Sequence, residues 1–293
     1  MKSQNILLLG GTGYIGRHLV PALAEHNNVT LLTRNLNHCS FVDELPCNKK
    51  NNITILTLQD LNDSIQNTRK QYNWFINLSC SYMRKGLYKV WESNYKVPSD
   101  ILLMLEQNEC FPNVLTIGTS LPTNFNLYGF TKKQFFDLCT FLNKNKHRIF
   151  INIKLENFYG EDEPRDRFLP GVIEKLISGQ NIELTEGYQH RDFIYIDDVV
   201  DGLISILQYY CQCPEQGNFE VPLGTGDAPT IRELLNYCKE ITQSSSKLLF
   251  GAVPLRDNEP DSVADITALL KIGFKPRYGW HEGIKRMIEK FGL

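Results

Sequence analysis

Tyr128 and Lys132 stand four residues apart in the stretch GTSLPTNFNLYGFTKKQFF, Gly118 to Phe136. On a helix that spacing puts both side chains on one face, where a phenol and an ammonium approach each other. A neighbouring cation favours the phenolate and lowers a tyrosine pKa that is ordinarily about 10, so Tyr128 becomes a proton donor or acceptor near neutral pH. The same spacing occurs on plain amphipathic helices, and its meaning depends on what surrounds it.

A second chemical signal lies near the N-terminus. LLLGGTGYIGRHLV sets glycines at positions 10, 11, 13 and 16 between an apolar run and a helix-spaced one. From Gly11 the pattern is Gly-x-Gly-x-x-Gly, and from Gly10 it is Gly-x-x-Gly-x-x-Gly. Glycines there allow a tight turn and close backbone approach, and the helix start offers free N–H groups to a pyrophosphate. The pattern therefore predicts dinucleotide binding. The end of the next apolar run selects the dinucleotide. An NAD site usually has Asp or Glu at that point to hold the ribose 2′-OH. Here the sequence is LLTRN, with Thr33 in the acidic position and Arg34 after it. A guanidinium binds a 2′-phosphate bidentately, and Arg17 after Gly16 adds a second cation, so the expectation is NADP(H).

These residues need a scaffold, and the chain alternates accordingly. NILLLG reads as a buried strand, YIGRHLVPALAEH as a helix and NVTLLTRN as a second strand, while NITILTLQD and NWFINLSC supply two more apolar runs. A helix is expected over NYKVPSDILLMLEQN, a strand at NVLTIGTS, the Tyr128 helix, and a strand over RIFINIKLENFYG. This rhythm predicts an α/β fold, a Rossmann-like doubly wound parallel sheet, over residues 1–155. Residues 156–293 are expected to form a smaller C-terminal α/β substrate lobe, with part of the segment around 192–230 returning to the first domain.

Composition excludes several classes. The 293 residues are 42% hydrophobic with a net charge of −2, which gives no electrostatic case for nucleic acid or an anionic membrane. No apolar run approaches the roughly 20 residues needed to span a bilayer. The opening MKSQNILLLGG lacks the long apolar region and cleavage site of a secretory signal. The eight cysteines form no Cys-x-x-Cys pair and the six histidines are dispersed. The expectation is a cytoplasmic protein with reduced thiols and no metal site.

With the glycine turn upstream and Tyr128-x-x-x-Lys132 downstream, the chain resembles the extended short-chain dehydrogenase/reductases of the NAD-dependent epimerase/dehydratase family, which act on nucleotide sugars. RDFIYIDDVVDGL, LGTGDAPTIRELL and LRDNEPDSVADITALLKIGFKP look like that family's later landmarks. Within it, GTSLPTNFNLYGFTK, IKLENFYG and QHRDFIYIDD are most similar to the reductases that form CDP-abequose and CDP-paratose.

The resemblance implies NADPH-dependent reduction of the 4-keto group of a CDP- or dTDP-linked 6-deoxy or 3,6-dideoxy hexose, for bacterial surface polysaccharide. It implies that Tyr128 is the general acid, that Lys132 binds the nicotinamide ribose, and that Thr119 polarises the carbonyl, with the adjacent Ser120 as the alternative. It adds Gly10, Thr12, Gly13, Tyr14, Ile15, Gly16, Leu78 and the Asp60-Leu61 dipeptide to the cofactor set. Asn157 and Arg191 would hold the nucleotide of the substrate and Arg256 its diphosphate. A homodimer through two paired helices is also implied. Dehydratases of the family carry an Asp-Glu pair after the catalytic Thr, whereas Ser120-Leu121-Pro122 follows here. Epimerases go with tightly held NAD and an acidic ribose anchor, which Thr33-Arg34 lacks. The alternatives are a nucleotide-sugar epimerase using NAD(P) and a silent dinucleotide-binding sensor or scaffold, and proteins of the latter kind typically lose the Tyr or the Lys that this chain keeps.

Overall fold

A computed structural model of the chain describes residues 1–144, 147–212, 215–254 and 260–291. The strands among them are β1 (Asn5–Leu9), β2 (Asn28–Leu32), β3 (Ile53–Leu56), β4 (Trp74–Asn77), β5 (Asn113–Ile117), β6 (Ile149–Leu155), β7 (Asn157–Tyr159), β8 (Ile182–Leu184), β9 (Phe193–Tyr195), β10 (Gly217–Leu223) and β11 (Leu248–Phe250). A seven-stranded sheet runs β10-β6-β5-β4-β1-β2-β3, and β7 with β9 and β8 with β11 form separate pairs. Each neighbouring pair from β3 across to β6 is parallel. The fold is the expected Rossmann-like α/β sheet with flanking helices. The chain builds outward from β1 through β2 to β3, then returns to place β4 on the other side of β1. Strand order reverses at that point, and the turn after β1 opens there, where such sheets bind ligands.

The described chain forms two compact units. One is Met1–Lys154 with Leu203–Val221, and the other is Leu155–Gly202 with Pro222–Leu293. In the first, strand residues are buried on both faces because helices cover both. Ile6, Leu7, Leu8, Phe75 and Ile76 have no accessible surface. Leu7, Phe75, Leu102, Val114 and Phe150 belong to one apolar cluster, each buried side chain contributing about 1.5–3 kcal/mol. In the second unit, the buried Tyr159 packs edge-on against Phe193 and Tyr195 and donates a 3.3 Å hydrogen bond to the carbonyl of Trp280. That bond ties β7 to the helix Trp280–Glu289.

Two elements differ from the sequence-based expectation in a way that matters for the site. The stretch NYKVPSDILLMLEQN belongs to a longer helical run: a helix Leu87–Trp91, a π-turn Glu92–Lys96 and a helix Val97–Gln107. The stretch RIFINIKLENFYG is two strands, β6 and β7, in different sheets. The Glu156 N–H bonds the Leu223 carbonyl and the Asn157 N–H bonds the Asp192 carbonyl, so the ladder partner changes at that residue.

Candidate functional site

The turn after β1 has the shape that a pyrophosphate requires. Gly10 adopts φ +85°, and a Cβ there would lie 2.7 Å from the Leu78 carbonyl carbon and the Ser79 nitrogen. Gly16 lies against Gly11, where a Cβ would meet backbone at 2.4 Å, so the helix Tyr14–Ala24 approaches the strand end closely. That helix starts at Gly13 with no side-chain cap. The N–H groups of its first turn are therefore left for an anion, and the helix dipole adds favourable charge. The cradle fits a dinucleotide. Ile15 is buried, Tyr14 lies edge-on to His18, and the Leu78 N–H bonds Leu9 to close the far wall of the turn.

The two predicted cations turn to different partners. Arg17 donates from Nε to the Thr12 carbonyl at 3.1 Å and lies over the Phe41 ring. Arg34 is exposed, with its guanidinium 3.9 Å from Glu92. Thr33 is buried, and its hydroxyl donates to the Asn35 carbonyl while accepting from the Asn35 N–H. Asp60 closes a capping box with Thr57 at the start of the helix Leu58–Thr68, which holds its carboxyl below the usual range. Leu61 is wholly buried in the apolar cluster.

Tyr128 and Lys132 lie in the first turns of the helix Leu127–Leu142, whose Asn126 cap accepts from the Gly129 N–H at 2.9 Å. Lys132 is 3% exposed, and its ammonium donates a 2.7 Å hydrogen bond to the Ser79 carbonyl. Burial pushes this ammonium below the usual lysine range, with Cys80 acting in the opposite sense.

The segment after β4 surrounds the pair. Cys80 Sγ is 4.0 Å from the Tyr128 hydroxyl, and the Tyr82 ring stacks on the Tyr128 ring at 5.5 Å. Asn94, in the π-turn, fixes the segment: its Oδ1 accepts from Ser81 N–H at 2.8 Å, and its Nδ2 donates to the Ser81 carbonyl and to Thr131 Oγ1. Sequence reasoning missed Ser79, Cys80, Tyr82 and Asn94, because nothing local marks them. Thr119 and Ser120 are half-buried and line a cavity of about 230 Å³ together with Lys132, Asn152 and Glu220. The Thr119 hydroxyl accepts from the Leu121 N–H at 3.2 Å.

The second unit holds another cavity, of about 490 Å³, lined by Asn157 and Arg191 among others. Asn157 donates from Nδ2 to the Asp192 carbonyl at 3.3 Å. Arg191 donates to the carbonyls of His190, at 2.8 Å, and Pro260. Asp192 is wholly buried and its carboxylate accepts from the Thr225, Gly226 and Ala264 N–H groups and the Thr225 hydroxyl. It knits together the loops that support Arg191. Glu163 and Arg167 line the same cavity and escaped the sequence reading, since GEDEPRDR looks like an ordinary charged loop. Arg256 lies outside the described residues. Among the described residues no group of three or more His, Cys, Asp or Glu side chains is placed to hold a metal, and no helix is long and apolar enough to cross a membrane.

A sheet that reverses order at a glycine turn, with a Tyr–Lys pair on the helix after β5, defines a dinucleotide-dependent enzyme class. The chain belongs to the NAD dependent epimerase/dehydratase family, whose match spans residues 6–221. It is 26% identical to a CDP-abequose synthase of Salmonella muenchen, over 98% of this chain and 97% of that one. It is 28% identical to the CDP-abequose synthase of Salmonella typhimurium, over 98% of each. Among solved structures, the UDP-glucuronic acid 4-epimerase from Bacillus cereus in complex with UDP-glucuronic acid and NAD superposes with a TM-score of 0.82, at 20% identity, over 98% of this chain and 99% of that one.

Proposed function

We propose that the protein is an NADPH-dependent reductase of the 4-keto group of a CDP- or dTDP-linked deoxyhexose. The observation that carries this reading is the arrangement around the Tyr128 hydroxyl. The phenol stands one helical turn from a buried ammonium, with a segment from β4 braced against both. Full-length similarity to two CDP-abequose synthases supports the substrate class. NADPH, when bound, supplies the hydrogen and electron pair that reach the sugar's C4.

The chain's own residues manage the rest. The glycine turn and the first turn of the helix Tyr14–Ala24 bind the pyrophosphate, and Arg34 takes the 2′-phosphate of NADP(H), exchanging Glu92 for a doubly charged partner. Tyr128 gives its proton to the C4 oxygen as charge develops there, a role worth about 10²–10⁴ in rate. The hydroxyl of Thr119 or Ser120 donates to the same oxygen. Lys132 stabilises the phenolate that remains and binds the nicotinamide ribose. Asn157 and Arg191 hold the nucleotide of the substrate. No carboxylate follows Thr119, which argues against water elimination as the reaction. Exposed Leu103, Phe130 and Phe141 on the helices Val97–Gln107 and Leu127–Leu142 support a homodimer through those helices.

The test is loss of nicotinamide absorbance when the purified protein meets NADPH and a panel of CDP-, dTDP-, UDP- and GDP-4-keto sugars. Reduction by the wild type, lost in Tyr128→Phe while dinucleotide binding persists, is expected. Conversion of the sugar with no net loss of NADPH would identify an epimerase instead. Equal inactivity of both proteins across the panel refutes the assignment.

A further inference from the structure

Glu163 is buried, at 7% exposure, and lines the 490 Å³ cavity of the second unit. Its Oε1 is bonded by Arg167 Nε, while Oε2 is buried without a hydrogen-bond partner among the described residues. Arg167 is fixed where it is. Its guanidinium lies 4.1 Å over the Phe158 ring, and its Nη2 donates to the Phe158 carbonyl at 3.4 Å. A buried carboxyl oxygen left unmatched is costly, and a donor supplied by a ligand would relieve that cost.

The donor's chemistry follows from the surroundings. A phosphate brings only acceptors and negative charge, which a carboxylate repels. The stacked Arg167–Phe158 pair and the neighbouring Phe168 offer flat faces suited to an aromatic ring rather than a hexose. A pyrimidine presents either an exocyclic amine, in cytosine, or a carbonyl oxygen at the same position, in uracil and thymine. The amine donates to a carboxylate, whereas the carbonyl turns lone pairs toward it. The imide N–H of uracil and thymine sits between two carbonyl oxygens, both repelled by the same charge.

We propose that Glu163 is the residue that reads the base of the substrate nucleotide, accepting a hydrogen bond on Oε2 from the cytosine amine and disfavouring uracil and thymine. The inference rests on the nucleotide-sugar reading above and narrows it to cytidine diphosphate sugars.

The charge state of the carboxyl supplies a second handle. Burial pushes the Glu163 carboxyl up to about 7, against the pull of Arg167 and with a smaller push from Asp166. Arg191 and Glu183 line the same cavity. Cytosine favours the ionised form, and protonated Glu163 donates to the uracil carbonyl instead. The preference for CDP over UDP is therefore present above about pH 7 and shrinks below it. Titration of the diphosphate itself is common to both ligands and cancels in the ratio.

The test is calorimetric binding of CDP, UDP and dTDP to the full chain at pH 6 and pH 8, with no turnover required. The wild type is expected to prefer CDP about tenfold at pH 8, the effect of one hydrogen bond to a charged group, and by less than about threefold at pH 6. Glu163→Gln keeps the shape but presents a donor as well as an acceptor, and is expected to bind CDP and UDP within about threefold at both pH values. Equal wild-type affinity for the three nucleotides at pH 8, an unchanged preference in Glu163→Gln, or a preference that ignores pH each overturns the proposal. The wild-type pH series stands alone if the variant does not fold. A protein that binds none of the three loses the nucleotide-sugar reading itself, whereas equal binding of all three removes only the role of Glu163.

Discussion

Asn94→Ala is expected to cost more than a typical core truncation and to reach the chemistry without touching it. Asn94 has no accessible surface, and its side chain satisfies both the N–H and the carbonyl of the buried Ser81, at 2.8 and 3.1 Å. Alanine leaves two buried backbone groups without partners, each worth about 1–3 kcal/mol. The small void adds about 1 kcal/mol. Thr131 loses little, because its hydroxyl keeps the Leu127 carbonyl at 2.8 Å. The total is about 3–7 kcal/mol, read as a lower urea midpoint at unchanged slope by fluorescence of the tryptophans. Ser81 sits between Ser79, which accepts the Lys132 hydrogen bond, and Tyr82, which stacks on Tyr128. Loosening that segment is therefore expected to lower kcat by about tenfold or more, through misplacement of the proton donor. Asn94→Asp keeps the acceptor for the Ser81 N–H and separates the two bonds. A stability loss below about 1 kcal/mol in Asn94→Ala refutes the view that this side chain holds the segment.

Arg34→Asp is expected to weaken NADPH by about a hundredfold while NADH changes by less than threefold, because the charge reversal acts on the 2′-phosphate alone; titration of each dinucleotide by fluorescence checks this, and equal losses remove the cofactor argument. Glu163 also predicts a pH dependence of stability. Its folded carboxyl is raised to about 7, above the unfolded value near 4.3, so its contribution is fully present below about pH 4.3 and is lost as pH rises to about 7. Denaturation midpoints between pH 5 and 8 should therefore fall less in Glu163→Gln than in the wild type, and identical slopes refute the assigned environment.

Much of the fold was legible because its signals are local. Buried strands of a parallel sheet are continuous apolar runs, and β1, β2, β4 and β5 lie inside the runs that announced them. The glycine turn was readable because close backbone approach and a positive φ restrict the residue type at Gly10 and Gly16. The break between β6 and β7 was not legible, since KLENFY carries no glycine or proline and the change of ladder partner comes from Leu223 and Asp192, distant in sequence. The π-turn at Glu92–Lys96 escaped for a related reason: a widened helical turn has no composition of its own.

The same division holds for the site. Sequence alone determined that a phenol and an ammonium share a helix face, because helical spacing follows from chain geometry. It also determined that a glycine turn precedes an uncapped helix, and that Thr33-Arg34 replaces an acidic anchor. Tertiary structure decided what those groups meet. The acceptor for Lys132 lies 53 residues away at Ser79, the brace for that segment comes from Asn94, and the buried Glu163 has one oxygen matched and one not. Such partners are chosen by packing between distant segments, which sets burial and hydrogen bonding together, and no local pattern of residue types encodes either.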